Sequence, residues 1–255
     1  MAEKFEETAI IIRQEEIADD IYSMWLHTDQ IAAQAKAGQF VSVYCNDGSR
    51  LLPRPISICE IDKKDGAIRL VYRVAGKGTA EFSGMHTGAQ LRIVGPLGNG
   101  FPKKEKKAFL IGGGIGIPPM LQLAKELNCE KQIVLGFRDE LFLMDEFKKQ
   151  GAVYVATEDG SAGTEGNVLD AIRENGLDAE IIYACGPMPM LRALKEYAQK
   201  NHMECWISME ERMACGIGAC LACVCKSKEK DAHSNVKNKR ICKEGPVFRA
   251  EEVEF

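Results

Sequence analysis

The sequence lacks the features that would place a protein in a membrane, on a nucleic acid or outside the cell. None of its apolar runs approaches membrane-spanning length. The formal net charge of −4 gives no hint of nucleic-acid binding, and no basic run suggests a membrane surface as a partner. The first residues, Met1 to Glu7, are acidic and contain no apolar stretch of the kind that a secretion signal needs. We therefore expect a cytoplasmic protein that binds neither a membrane nor a nucleic acid.

The sequence also lacks a recognisable group of residues for acid–base catalysis. The 4 histidines are scattered, and neither a catalytic triad nor a pair of carboxylates stands out. Cysteine, in contrast, is plentiful, with 10 residues. Half of them cluster near the C-terminal end and no secretion signal is expected, so reduced thiols are favoured over disulfides.

The cysteine cluster has the spacing of an iron–sulfur site. Cys215, Cys220 and Cys223 form a C-x4-C-x2-C array, and Cys242 follows after a polar segment. This is the ligand spacing of a plant-type [2Fe-2S] cluster, which needs four thiolates. A zinc ribbon would more often show two C-x2-C pairs, and buried inert cysteines rarely gather in this way. Plant-type ferredoxins carry the array early in the chain, so here we expect a cluster module attached to another protein.

The fourth ligand has two candidates, Cys225 and Cys242. Cys223-Val224-Cys225 enters an apolar, β-branched stretch that is typical of a strand, and residues two apart on a strand share a face. Direction alone therefore does not exclude Cys225. Cys242 follows a turn-rich linker and can return from the far side of the cluster. We predict Cys242 as the ligand, with binding by Cys225 as the alternative.

The first part of the chain, residues 1–102, predicts a small antiparallel β-barrel. Short apolar or alternating runs are separated by Gly, Asp and Asn turns, a pattern typical of such barrels. The predicted strands are residues 8–13, 21–26, 40–44, 67–74 and 90–94.

Two segments of this region could meet a phosphate. In Arg54-Pro55-Ile56-Ser57 the arginine offers a planar cationic fork and the serine a hydroxyl. Gly78-Thr79 belongs to a glycine-rich turn that opens a short helix, where backbone N–H groups can face a pyrophosphate. Neither segment is specific alone, and the second lacks the spacing of a P-loop.

Residues 103–210 alternate between strand and helix, which predicts a doubly wound parallel sheet. The predicted strands are 108–111, 133–137, 153–157, 181–184 and 205–209, and the predicted helices are 118–127, 141–149, 167–174 and 188–199.

Two glycine-bearing loops follow strands of this sheet. The first contains Gly112, Gly113, Gly114 and Gly116, and the second is Cys185-Gly186-Pro187. Both lie at the carboxyl edge, where such sheets bind ligands. The first loop is not the usual dinucleotide fingerprint, because Ile117 and Pro119 replace required glycines. We expect a cofactor crevice here, although a lone glycine loop is often structural and a cysteine there is often a small core residue.

These motifs, in this order, resemble the ferredoxin–NAD(P) reductase superfamily over about residues 5–210. With the segment from Glu210 to Cys220 added, the chain resembles the electron-transfer subunits of NAD-dependent (class 1B) dihydroorotate dehydrogenases. The resemblance implies a multi-domain β plus α/β fold: an FAD-binding barrel (1–102), an NAD-binding domain (103–210) and a [2Fe-2S] module (211–255).

The resemblance also implies residue roles and a partner. Arg54 and Ser57 would serve the phosphate and isoalloxazine of FAD, Val71, Tyr72 and Arg73 would line the flavin, and Gly78-Thr79 would take the pyrophosphate. NAD would lie at the first glycine loop, with Cys185 near the nicotinamide. The implied partner is a separate FMN-containing catalytic subunit that oxidises dihydroorotate, in a heterotetramer of two copies of each.

Alternatives remain open for the function, for the coenzyme and for the role of two glutamates. Related barrels with the same domains serve NADPH–ferredoxin transhydrogenases and hydrogenases, and a regulatory protein that binds only FAD or zinc would share single motifs. Residues 138–140 leave the coenzyme open, because an acidic side chain there suits the ribose of NAD and Arg138 suits the 2′-phosphate of NADP. Glu210 and Glu211 are expected to be solvated charges, with a role near the flavin as the lesser alternative.

Overall fold

The computed structural model describes residues 3–230 and 235–254 of the chain. In these residues three sheets form: a closed barrel of six strands, a sheet of seven strands and a sheet of three strands. No helix of the described residues is long and apolar enough to cross a membrane.

The first sheet is the predicted antiparallel barrel. Its elements are β1 (Phe5–Ala18), β2 (Ile21–His27), α1 (Gln30–Gln34), β3 (Phe40–Val43), β4 (Arg54–Asp62), β5 (Ala67–Arg73), α2 (Lys77–Ser83) and β6 (Gln90–Leu97). The strands close in the order β1-β2-β5-β4-β3-β6, and neighbours are antiparallel. No strand was predicted at β4. Its second residue is Pro55, which has no N–H for a ladder and is tolerated near a strand end, so the β pattern is concealed there.

The second sheet contains the five predicted parallel strands. Its elements are β7 (Ala108–Gly113), a 3-10 turn (Gly114–Gly116), α3 (Pro118–Glu126), β8 (Lys131–Phe137), α4 (Met144–Lys148), β9 (Ala152–Thr157), β10 (Thr164–Glu165), α5 (Val168–Glu174), β11 (Ile181–Cys185), α6 (Met188–Lys200) and β12 (Glu204–Ser208). The parallel order is β10-β9-β8-β7-β11-β12. The helix predicted from residue 141 begins only at Met144, because Leu143 has a left-handed backbone with φ of 60°.

The direction of strand addition reverses between β7 and β11. Strands β8, β9 and β10 extend the sheet on one side of β7, and β11 and β12 extend it on the other. Helices α3 and α4 pack on one face, whereas α5 and α6 pack on the opposite face. Such a reversal point, at the carboxyl ends of the strands, is where doubly wound sheets bind ligands.

The C-terminal part of the chain adds the third sheet and one more strand. Its elements are β13 (Val224–Ser227), β14 (Asn238–Arg240), β15 (Val247–Arg249) and β16 (Val253–Glu254). The small antiparallel sheet has the order β14-β13-β16, while β15 pairs antiparallel with β12 at the edge of the large sheet. The cysteine-bearing segment is therefore joined to the parallel sheet by main-chain hydrogen bonds.

The barrel is fixed to the parallel sheet through buried charges. Arg69 of β5 is 6% exposed, and its guanidinium donates to Glu60 at 2.6 Å and lies 3.3 Å from Glu146 of α4. Lys125 of α3 pairs with the other oxygen of Glu60. The buried pair Arg69–Glu60 lies within the barrel, and its contacts with the partly exposed Glu146 and Lys125 join the barrel to α4 and α3.

Candidate functional site

The cysteine loop, residues 215–223, carries three of the four cysteines that the spacing predicted as ligands, and the fourth is Cys242. The Cys220 side chain lies within hydrogen-bonding reach of Cys215, and Cys242 lies within reach of Cys223. Cys223 and Cys242 are 2% and 1% exposed, while Cys220 is exposed. The loop can turn back sharply because Gly216 and Gly218 adopt left-handed backbones, with φ of 66° and 89°.

Backbone N–H groups surround the sulfur atoms of this loop. The amides of Ala219 and Cys220 donate to Sγ of Cys215 at 3.3 and 3.4 Å, and the amide of Cys242 donates to Sγ of Cys223 at 3.5 Å. Burial opposes ionisation of Cys215, but the hydrogen bonds outweigh it and lower the pKa of its thiol. The bond with Cys242 lowers the pKa of Cys223 and raises that of Cys242. The surroundings of Cys215 and Cys223 therefore favour the thiolate, the form that binds metal.

The four cysteines lie in two pairs and not in one group. No three histidine, cysteine, aspartate or glutamate side chains within residues 3–230 and 235–254 gather closely enough to hold a metal ion. The cysteines instead form the pairs Cys215–Cys220 and Cys223–Cys242. A structural zinc collects four ligands around one point, whereas a two-iron cluster shares its four cysteines between two irons. The donor set therefore suits an iron–sulfur cluster.

Cys225 lies in a different environment. It sits on β13 opposite Lys239 and is 8% exposed within the apolar core. Burial raises the pKa of its thiol, and the pKa of Cys242 is raised as well, so the direction of the pKa does not separate the two candidates. Cys242, not Cys225, is the residue that meets Cys223.

A second feature, which we call the barrel cleft, has a volume of about 320 Å³ and borders all three units of the chain. Its walls are largely apolar, with a few charged and hydroxyl groups, as expected for a bound aromatic cofactor. From the barrel it is lined by Phe40, Arg54, Pro55, Ile56, Ser57, Val71, Tyr72, Arg73, Ala75 and Thr79, from the parallel sheet by Ile115, Ser208 and Met209, and from the C-terminal part by Glu210, Glu211, Met213 and Pro246.

Arg54 lies against the first turn of α2. A Cβ atom on Gly78 would stand 2.5 Å from Cζ of Arg54, so only glycine lets the guanidinium lie on this backbone. The hydroxyl of Thr79 accepts hydrogen bonds from the amides of Ala75 and Gly76 at 2.9 and 3.2 Å, which caps the helix. Arg54 and the start of α2, separate in sequence, thus form one cationic corner of the barrel cleft.

A third feature, which we call the sheet crevice, lies at the reversal point of the parallel sheet. Its volume is about 490 Å³, and of the predicted loop residues Gly113, Gly114 and Pro187 line it. The segments at the ends of β8 and β9 add Arg138, Asp139, Glu140 and Glu158 to its lining.

The remaining predicted loop residues lie behind the sheet crevice. A Cβ atom on Gly116 would stand 2.5 Å from the carbonyl carbon of Cys185, one on Gly112 2.8 Å from Cα of Ile117, and one on Gly186 3.1 Å from Cα of Gly113. These glycines allow the two loops to pack against each other. Cys185 is 1% exposed, and burial raises the pKa of its thiol. The Ser208 side chain bonds to it, so Cys185 lies directly behind the wall of the barrel cleft.

The barrel cleft and the sheet crevice meet at Arg73. This residue lines both, and on the opposite side Gly114 lines the crevice while the adjacent Ile115 lines the cleft. The two spaces are therefore adjacent.

Several residues of the site were not identified from the sequence. Phe40, Ile115, Ser208, Met213 and Pro246 reach the barrel cleft from separate segments. For Ser208 a signal existed, because it ends a parallel strand at the carboxyl edge of the sheet. Glu210, expected to be a solvated charge, lines the cleft, and desolvation there raises the pKa of its carboxyl.

Three protein-family models match consecutive parts of the chain. Residues 8–101 match an oxidoreductase FAD-binding domain, residues 110–196 an oxidoreductase NAD-binding domain, and residues 210–254 the iron–sulfur cluster binding domain of dihydroorotate dehydrogenase B. Their order is that of the barrel, the parallel sheet and the cysteine-bearing part.

Curated relatives match nearly the whole chain. The electron transfer subunit of dihydroorotate dehydrogenase B (NAD(+)) from Fusobacterium nucleatum subsp. nucleatum is 44% identical over 94% of this chain and 95% of its own. The subunit of the same name from Bacillus velezensis is 44% identical over 93% of this chain and 94% of its own.

Solved structures share the fold. A chain of the NADH-dependent reduced ferredoxin–NADP oxidoreductase, a structure described for flavin-based electron bifurcation, aligns with a TM-score of 0.87 at 30% identity. The alignment covers 97% of this chain and 90% of that one. A cytochrome P450 reductase from Amycolatopsis aligns with a TM-score of 0.66 at 19% identity, over 80% of this chain and 68% of that one, and so shares the fold alone.

Proposed function

Since the chain belongs to the family of dihydroorotate dehydrogenase B electron transfer subunits, we propose that it carries electrons from a dihydroorotate-oxidising partner to NAD in pyrimidine biosynthesis. The chain is an oxidoreductase subunit with FAD-binding, NAD-binding and iron–sulfur cluster-binding domains. We assign them to residues 1–102, 103–210 and 211–255.

One observation carries this proposal: the barrel cleft adjoins the sheet crevice and is also lined by residues of the cysteine-bearing part of the chain. It meets the sheet crevice at Arg73 and Ile115, and Met213 and Pro246 bring the cysteine-bearing part to its other side. A bound flavin exchanges electron pairs with nicotinamide and single electrons with an iron–sulfur cluster. A flavin site between the other two sites is therefore the order that electron transfer requires.

We assign FAD to the barrel cleft. Arg54, lying on Gly78 next to Thr79, would hold the phosphates through charge-assisted hydrogen bonds. The flat apolar walls, with Val71 and Tyr72 among them, would receive the ring system. The remaining residues assigned to FAD are Pro55, Ile56, Ser57 and Arg73, which line the same cleft.

We assign NAD to the sheet crevice, with its nicotinamide end toward Arg73. Gly113 and Gly114 would face the coenzyme, Gly112, Gly116 and Gly186 would shape the two loops, and Pro187 would form part of the wall. Cys185 would act from behind the wall as a neutral thiol. Asp139, Glu140 and Glu158 in the lining outnumber Arg138, which supports NAD over NADP because a 2′-phosphate would meet acidic groups.

We assign a [2Fe-2S] cluster to Cys215, Cys220, Cys223 and Cys242. The paired sulfurs and their N–H donors support this ligand set. The exposed side of the loop would face the partner, which we propose to be an FMN-containing catalytic subunit in a cytoplasmic heterotetramer of two copies of each chain. The segment 226–239, proposed as part of the contact, includes residues 231–234, which lie outside the described residues.

The partner contact can be tested by charge reversal. Lys226→Glu on the exposed side of β13 should weaken complex formation or electron transfer, because it reverses charge beside the cluster. Lys149→Glu, exposed at the end of α4, is the matched control and should have less effect. Equal effects of the two variants on the co-purified complex would argue against a cluster-side contact.

The function is tested by purifying the native complex and assaying dihydroorotate-dependent NADH formation. The complex should form NADH, whereas the isolated chain should oxidise NADH with an artificial dye and leave dihydroorotate unchanged, because no candidate base for dihydroorotate was identified. Dihydroorotate turnover by the rigorously purified single chain would refute this division of labour.

The second candidate is a subunit of a transhydrogenase-type or hydrogenase complex. It is favoured by the TM-score of 0.87 to the NADH-dependent reduced ferredoxin–NADP oxidoreductase. The greater identity to the dihydroorotate dehydrogenase subunits, 44% against 30%, favours the first candidate. Co-purification with a ferredoxin-reducing partner, without dihydroorotate oxidation, would establish the second.

A further inference from the structure

Ser42 is a buried hydroxyl that has no hydrogen-bond partner within the described residues. The residue is 1% exposed, and its Oγ atom reaches no donor or acceptor of the protein there. A buried polar group without a partner costs about 1–3 kcal/mol, so such groups in native proteins usually meet water, an ion or a ligand.

Its position on the barrel directs Ser42 away from the barrel interior. Along β3, Val41 and Val43 belong to the interior core of the barrel, whereas Phe40 belongs to the core that contains Cys223 and Cys242. Since alternate residues of a strand share a face, Ser42 points to the same side as Phe40. That side carries the cysteine-bearing part of the chain.

The cysteine loop lies directly on Ser42. A Cβ atom on Gly216 would stand 2.7 Å from Oγ of Ser42 and 3.3 Å from Cδ1 of Leu97. Gly216 has a left-handed backbone and follows the proposed ligand Cys215. The loop therefore approaches the hydroxyl as closely as a residue without a side chain permits, in a setting that Leu97 makes apolar.

We propose that the Ser42 hydroxyl donates a hydrogen bond to the iron–sulfur cluster of the cysteine loop and thereby raises its reduction potential. This inference rests on the proposed function for the cluster itself. The reduced cluster carries one more negative charge than the oxidised one, so a donor stabilises the reduced form more strongly. Ser42 thus supplies from the barrel a contact that adds to the N–H donors of the loop.

Three variants of the full chain test the proposal. Ser42→Ala removes the donor, and Ser42→Thr keeps a hydroxyl. Ser23→Ala is the matched control, because Ser23 is also a buried barrel serine at 1% exposure, but its hydroxyl accepts from Nε of Arg69 at 2.8 Å. Each protein is titrated electrochemically while the magnetic resonance signal of the reduced cluster is followed, and exchangeable-proton couplings are compared in H₂O and D₂O.

Ser42→Ala should retain the cluster's visible absorption but lose one exchangeable-proton coupling and titrate at lower potential. The expected change is roughly tenfold in the equilibrium constant for reduction of the cluster, which corresponds to about 59 mV for a one-electron couple. Ser42→Thr and Ser23→Ala should stay close to the unmodified protein. If Ser42→Ala holds no cluster, Ser42→Cys, with its weaker donor, replaces it and should show a shift in the same direction.

Unchanged potential and couplings in a cluster-bearing Ser42→Ala or Ser42→Cys protein would overturn the inference, as would an equal shift in Ser23→Ala. Absence of any iron–sulfur signal from the unmodified chain would instead contradict the proposed function. The two failures are therefore distinguishable.

Discussion

The cysteine loop takes three of its proposed ligands from residues 215–223, whereas the neighbouring barrel cleft takes its lining from all three units of the chain. In the loop, backbone N–H groups donate to Sγ of Cys215 and Cys223, so the main chain itself forms the site. In the cleft, side chains such as Arg54 and Pro246 meet only because the units pack together. A local site should fail completely when one ligand is lost, and a composite site should fail by degrees.

The largest effect is expected at the local site. Cys242→Ser should abolish the cluster's visible absorption and its reduced-state magnetic resonance signal, because Cys242 completes the pair with Cys223. Cys225→Ser is the matched control and should retain both signals, because Cys225 lies in the core opposite Lys239. The opposite pattern would make Cys225 the fourth ligand.

At the composite site the expected effect is large but graded. Arg54→Ala removes the cation that lies on Gly78, and FAD should bind roughly 100-fold more weakly, since charged hydrogen bonds contribute about 1.5–3 kcal/mol. The parallel sheet should remain folded. Arg92→Ala, whose guanidinium lies 3.7 Å from the ring centroid of Tyr44 on the barrel, should keep FAD affinity. FAD titration of the stripped proteins measures both, and full FAD occupancy in Arg54→Ala would contradict the assignment.

The difference between a local and a composite site also determines how much of each site can be predicted from the sequence. The C-x4-C-x2-C spacing is local, so it could be recognised without knowledge of the fold, and the ligand set stays a prediction. The barrel cleft contains Phe40, Met213 and Pro246, which no periodicity connects, and their meeting depends on packing between units. Sequence patterns predicted the barrel and the doubly wound sheet because hydrophobic periodicity is also local.

The differences between the predicted and the observed secondary structure also have specific physical causes. β4 was missed because Pro55 interrupts its pattern, and α4 starts late because of the left-handed Leu143. The antiparallel β15 was not expected at the edge of the parallel sheet, because its three residues pair with β12 across a long sequence separation. Gly112 and Gly116 were assigned to the coenzyme from the glycine pattern, which does not distinguish contact with a ligand from contact between two loops.

A smaller effect is expected at Asn99, which joins the end of the barrel to the cysteine-bearing part of the chain. The side chain of Asn99 donates to the carbonyls of Glu244 and Val247 at 3.0 and 2.8 Å and accepts from the amide of Val247 at 2.9 Å. Asn99→Ala should lower the free energy of unfolding by about 3 kcal/mol, because it removes three neutral hydrogen bonds that contribute about 1 kcal/mol each.

The Asn99 effect should be local to the cysteine-bearing part. Hydrogen exchange should accelerate first in β15 and the residues before it. Asn201→Ala, which removes one bond to the carbonyl of Tyr197 at the end of α6, is the control and should have less effect. Uniform acceleration over the whole barrel would show that Asn99 does not act at this junction.

The smallest effect concerns β12. This strand pairs with β15 of the cysteine-bearing part, and its last residue, Ser208, lines the barrel cleft. At the opposite end of β12, burial of Glu204 opposes ionisation, but hydrogen bonds from Lys104, Trp206 and Lys106 outweigh it and lower its pKa to about 2. A carboxyl whose pKa is lower in the folded state stabilises that state above its unfolded pKa of about 4.5, and this contribution disappears as the pH falls toward 2.

Glu204→Gln should therefore lower the free energy of unfolding by about 1 kcal/mol at pH 7, since both lysine partners are partly exposed and solvent screens them. The difference from the unmodified protein should shrink as the pH falls from about 4.5 toward 2, as denaturant unfolding at a series of pH values would measure. Glu130→Gln is the control: its side chain is 66% exposed, 3.1 Å from Lys107, and should change stability very little. A Glu204→Gln effect that is constant with pH would show that packing, not charge, anchors this end of the strand shared by the two regions.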